Sequence, residues 1–67
     1  MSQATIIQAL DLALHRTPPF LLRDGCEVIR VVECGYSAQF GRVFFRCDDG
    51  EEFNVSPAAH FVFIAQE

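Results

Sequence analysis

The sequence predicts a mainly β or α+β fold, an N-terminal helix followed by five short antiparallel strands in a small barrel, with a short helical turn before the last strand. Three observations carry this reading. Helical periodicity is confined to the residues before Pro18-Pro19. Beyond them, short apolar runs alternate with turn signals at Asp24-Gly25, Gly35-Tyr36-Ser37 and Asp48-Asp49-Gly50. With 67 residues, 51% of them hydrophobic and 21% charged, the chain is one small globular domain whose apolar residues exceed what a single small sheet can hide. No internal repeat, low-complexity tract or Gly/Ser linker divides it, so residues 1–67 are read as a single domain.

The helix is expected over residues 2–16, with Ser2 as N-cap and Ile6, Ile7, Leu10, Ala13 and Leu14 on one apolar arc. Gln8, Asp11 and His15 fall on the polar side, and Leu12 projects away from the arc. Pro18 and Pro19 stop the helix, because proline has no amide to donate and pushes the residue before it out of the α region. Strands are then expected at about 20–23, 26–34, 39–47, 51–55 and 61–65. Asp24-Gly25 turns the first into the second, and Gly35-Tyr36-Ser37 breaks the second from the third.

Side-chain alternation decides the register of the next hairpin. A two-residue loop at Asp49-Gly50 would pair Arg46 with Phe53 and mix polar with apolar residues on each face. A three-residue loop, Asp48-Asp49-Gly50 with glycine in the left-handed region, instead pairs Val43 with Val55 and Phe45 with Phe53 on one face. The other face then carries Arg42, Phe44 and Arg46 against Asn54 and Glu52, including a cross-strand Arg46 to Glu52 pair. Ser56-Pro57-Ala58-Ala59 has Ser at a cap position and Pro at the first helical position, so a short helical turn leads into Phe61-Val62-Phe63-Ile64. Four consecutive apolar residues in a strand imply cover on both faces, from the helix or from a second subunit.

The order of helix, five strands and one helical turn before the last strand resembles the SH3-like small barrels, and in particular the Sm-like family. The helix at 2–16, the Asp24-Gly25 turn and the passage from Val55 through His60 into Phe61–Ile64 carry the resemblance. It implies rings in which the fourth strand of one subunit pairs with the fifth of the next, and RNA bound near the loops.

Charge argues against a general phosphate-backbone binder. Nine acidic and five basic residues leave a formal net charge of −4, the opposite of the usual balance. All five cations are arginines, Arg16, Arg23, Arg30, Arg42 and Arg46. Three scattered cysteines, Cys26, Cys34 and Cys47, do not form the even framework of a secreted disulfide scaffold. Reduced thiols and a cytoplasmic location are therefore expected, the more so because no charged signal segment precedes Gln8 and no run has the length of a membrane span.

Candidate sites are weighed by whether the spacing supports the chemistry. Cys26 and Cys34 are eight positions apart on one expected strand, roughly 26 Å at about 3.3 Å per residue, too far to share a zinc ion at thiolate bond lengths of about 2.3 Å. The cysteines are read as buried structural residues. Cys47 or Ser56 with His60 lacks an orienting acid and oxyanion donors at a known spacing. His15 sits where a protonated imidazole meets a helix C-terminus. Asp48, Asp49, Glu51 and Glu52 lack the calcium-loop pattern and follow from turn geometry. No catalytic residue, cofactor or metal site is therefore expected.

Phe40, Arg42, Phe44 and Arg46 alternate onto one face of the expected third strand. Aromatic rings interleaved with guanidinium groups suit a protein interface, and also nucleic-acid stacking. If the helix lay on this face, the four residues would instead belong to a second core. The expectation is a non-catalytic protein-binding or self-assembling module, an adaptor or inhibitor of acidic character. Phe40, Arg42, Phe44 and Arg46 would contact a protein partner, and Phe61, Val62, Phe63 and Ile64 would pair edge to edge in a homo-oligomer. An oligomeric Sm-like RNA binder is the alternative, disfavoured by net charge.

Overall fold

The computed structural model describes residues 5–67; the expected N-cap, Ser2, lies outside the described residues. The elements are β1 (Thr5–Gln8), α1 (Ala9–His15), β2 (Phe20–Asp24), β3 (Glu27–Ser37), β4 (Arg42–Cys47), β5 (Glu52–Val55) and β6 (His60–Gln66). The strands form one sheet in the order β1-β6-β2-β3-β4-β5, antiparallel at every junction. The fold is thus mainly β, but among the described residues the sheet has six strands and is not closed, where a five-stranded barrel was expected.

The sixth strand comes from residues assigned to the helix. Thr5-Ile6-Ile7 is a β-branched run, stiff at χ1 and better suited to a pleated surface than to a helix. It pairs with β6 from Thr5 opposite Phe63 to Gln8 opposite His60. The helix begins only at Ala9, and its N-cap residue Gln8 supplies no side-chain cap. Backbone carbonyls replace it: the Ala9 amide donates to Ala59 (2.8 Å) and the Leu10 amide to Pro57 (3.0 Å), satisfying donors that a helix start otherwise leaves free. Starting at Ala9 also rotates the apolar face. Ala9 and Leu12 are buried, while Leu14 is 60% exposed, so Leu12, expected to project away, is the helix's main core residue.

The core comprises Ala9, Leu12, Phe20, Leu22, Val31, Val43, Phe45 and Phe61. Phe45 on β4 and Phe61 on β6 meet edge to face with ring centroids 5.5 Å apart. In a flat sheet their strands would be three spacings of about 4.8 Å apart, roughly 14 Å, so the sheet curls strongly and α1 lies on its inner side. The bend is taken up by β3, whose first half pairs with β2 and whose second half pairs with β4. An irregularity between Val31 and Glu33 is a bulge of the kind that bends a strand.

Three loops decide which residues face where. The β4–β5 hairpin has the expected register, with Val43 opposite Val55, Phe45 opposite Phe53 and Arg46 opposite Glu52. Gly50 holds φ 91°, a left-handed value that glycine adopts without penalty, and its amide donates to Cys47. Gly35 does not break the chain. β3 runs through it to Ser37, and the turn falls at residues 38–41, so Gln39–Gly41 precede β4 rather than belonging to it. Between β5 and β6, a single tight turn closed by the Ala59 amide on Ser56 (3.0 Å) takes the place of a helical turn.

Candidate functional site

Along β4 the side chains divide cleanly. Val43, Phe45 and Cys47 are buried, Arg42 and Arg46 are exposed, and Phe44 is half-buried. Because α1 packs in the same core as Val43 and Phe45, the helix covers the opposite face, and Arg42, Phe44 and Arg46 remain on the outer surface. Phe40 is displaced from the strand to the preceding turn, where its ring is 72% exposed. The structure therefore brings three of the four expected residues into one row and sets the fourth at the end of it.

Each residue of the row has a distinct setting. Phe44 lies opposite Gly35, and a Cβ at Gly35 would stand 2.5 Å from the Phe44 ring, so the missing side chain is what lets the ring lie down on β3. Arg46 has Glu52 across one hairpin and Glu33 across the other. Its guanidinium bonds Glu33 at 2.8 Å, so the ion pair forms with β3 and not with β5 as expected. Arg42 has no carboxylate partner among the described residues, and with Phe40, Ser37 and Asn54 it lines a shallow recess.

The last strand is placed differently from its expected role. β6 has β1 on one edge, opposite His60 through Phe63, and β2 on the other, so Val62 and Phe63, the middle of the Phe61–Ile64 run, have no free backbone edge with which to pair with a second copy. Its four apolar residues are not covered on both faces either. Phe61 is buried, Val62 and Phe63 are half-buried, and Ile64 is exposed. Phe63 packs on Phe20 with centroids 5.9 Å apart and carries the Arg16 guanidinium over its ring at 4.5 Å. Among the described residues, the free strand edges of the sheet are those of β1 and β5.

Two surfaces escaped the sequence reading because each joins segments distant in the chain. One is an outward row across four strands, in register from Ile6 through Val62 and Arg23 to Val28, with Ile6 69% exposed. The other is a cleft of about 250 Å³ between the β2–β3 and β4–β5 turns. Asp24, Glu27, Asp48, Asp49 and Glu51 line it, with Val28, Ile29, Cys47 and Phe53 as apolar wall and Arg30 as its cation. Arg30 bonds Glu67 at 2.9 Å and lies 3.8 Å from Asp48.

Of the cysteines, Cys47 is buried and Cys34 half-buried, but Cys26 is exposed in the β2–β3 turn, against the expectation of three structural thiols. Burial raises the Cys47 pKa, and Asp49, Glu51, Asp48 and Glu27 raise it further, the reverse of what activates a nucleophile. Ser56 Oγ accepts the Ala58 amide within its own turn (3.2 Å). Among the described residues no three His, Cys, Asp or Glu side chains gather as a metal site, and no helix is long and apolar enough to cross a membrane. Comparison with protein-family models, curated proteins and solved structures finds no match.

Proposed function

We propose that this chain is a non-catalytic protein-binding or self-assembling module that acts through the outer face of β4 and the turn before it. The single observation that carries the reading is that α1 packs with Val43 and Phe45, leaving Arg42, Phe44 and Arg46 on the other side of the strand, with Phe40 exposed in the turn before it. Phenyl rings and guanidinium groups perform no acid-base chemistry near neutral pH, but they are the side chains that anchor protein interfaces, where rigid apolar area and planar charge recognition concentrate binding energy. The SH3-like, Sm-like reading of the fold is proposed with it. Its support is that β5 and β6 stand at or next to opposite edges of the sheet, where the fourth and fifth strands of that family pair between subunits. Here β1 occupies the outer edge of β6, so assembly would use other contacts.

The test is capture of partners from the native host with the intact chain and with an Arg42→Ala, Arg46→Ala variant. Proteins retained by the first and lost by the second are expected; an identical set from both would contradict the proposal. RNA binding that falls steeply with salt and vanishes in the same variant would favour the Sm-like RNA-binding alternative.

A further inference from the structure

The charges of the chain are distributed in a way that the net value hides. Five of the nine carboxylates, Asp24, Glu27, Asp48, Asp49 and Glu51, line the cleft at one end of β4, with Arg30 as the only guanidinium among the lining residues. The remaining acids, Asp11, Glu33, Glu52 and Glu67, are matched in number by Arg16, Arg23, Arg42 and Arg46. The formal net charge of −4 is therefore that of the cleft, and the rest of the chain is balanced.

At the other end of β4 stands the complement. Phe40 projects from the β3–β4 turn with its ring 72% exposed, and Arg42 beside it has no carboxylate partner among the described residues. The cleft offers what such a pair needs, an apolar wall of Val28, Ile29 and Phe53 for a ring and a rim of carboxylates for a guanidinium. Tip and cleft cannot meet within one molecule. β4 runs from Arg42 to Cys47 between them, a span of roughly 17 Å at about 3.3 Å per residue.

From this complementarity we infer that the chain associates head to tail, the Phe40 and Arg42 tip of one copy seated in the acidic cleft of a second. The inference rests on the reading of the outer β4 face as a contact surface and names its occupant. Because donor and acceptor surfaces differ, the contact is heterologous, and copies add on until a ring closes or the chain of copies ends. Being built largely from exposed charge, it weakens with salt.

Sedimentation equilibrium of the full chain tests it, alone and with two variants. Phe40→Ala, Arg42→Ala removes the tip; Glu27→Lys, Glu51→Lys reverses charge in the cleft at two exposed positions. The wild type is expected to exceed the mass of one chain, increasingly so with concentration, and to return towards it in salt. Each variant alone should have the mass of one chain. Mixed in equal amounts they should give pairs and nothing larger, since one intact tip meets one intact cleft, and recovery of pairs shows that both variants are folded. The inference is overturned if the wild type remains a single chain throughout, if either variant associates like the wild type, or if the mixture forms no pairs. A monomeric wild type that still captures a different protein through Arg42 and Arg46 would leave the binding reading standing and remove this one alone.

Discussion

Leu12 and Leu14 stand two positions apart on one short helix and have opposite environments, the first fully buried and the second 60% exposed. Leu12→Ala should therefore destabilise the fold by about 2–5 kcal/mol, the range for a buried leucine that leaves a cavity, whereas Leu14→Ala should stay within about 0.5 kcal/mol. Urea denaturation of the two variants checks this, and equal losses would mean that the apolar face of α1 is misassigned. Periodicity alone separates them the wrong way round, because a helix extended back to Ser2 places Ile6 and Leu14 on one arc and turns Leu12 away from it. Only the strand formed by Thr5–Gln8 resets the starting point. The thiols supply a second test at this scale. Burial raises the pKa of Cys34 and Cys47 from the ordinary 9.0, with neighbouring carboxylates adding to it. Folding therefore favours the neutral thiols, a contribution fully present below pH 9.0 that is lost as pH rises through the higher folded-state values. Stability should accordingly begin to fall as pH rises through 9.0, and fall less steeply in Cys47→Ala. A slope unchanged by that substitution would remove Cys47 as a cause.

Elements were legible where a short stretch carries its own constraint. The β4–β5 hairpin is one case, since alternation of Val43, Phe45, Phe53 and Val55 leaves a single register that keeps both faces consistent. Gly35 is the opposite case. Read as a breaker, it is in fact the seat of Phe44, and no local pattern distinguishes a glycine that turns the chain from one that makes room for a ring on the next strand. Gly35→Ala places a Cβ 2.5 Å from the Phe44 ring and must lift it off β3. The expected cost is about 1–3 kcal/mol, as for other overpacked contacts, with a more exposed Phe44 seen as increased accessibility of its ring. A variant as stable as the parent, with Phe44 unmoved, would refute the assigned contact. β1 was hidden for a related reason. Its β-branched run suits a strand, but pairing it with β6 brings together residues more than fifty positions apart, and continuity of apolar spacing into the helix masked the change.

For the whole molecule, the composition indicated a chain with more apolar surface than a small sheet can hide, and the structure locates that surface. The outer face of β4 carries Phe44 between two arginines with Phe40 in the turn before it, the outer faces of β1, β6 and β3 carry Ile6, Val62 and Val28, and the net negative charge is that of a single cleft. The Phe/Arg row of β4 shows in one segment as alternation, but its facing outward, like the other two surfaces, depends on strand order and on the curl that brings Phe45 to Phe61. The central claim is that the outer β4 face and the turn before it, with Phe40, form the contact surface. Hydroxyl-radical footprinting tests it most directly, by comparing the purified chain at low concentration with the same chain in extract of its host. The expected result is strong modification of Phe40 in the isolated chain and marked protection in the extract, with buried Phe45 weakly modified in both. Equal modification of Phe40 in the two states would contradict the claim.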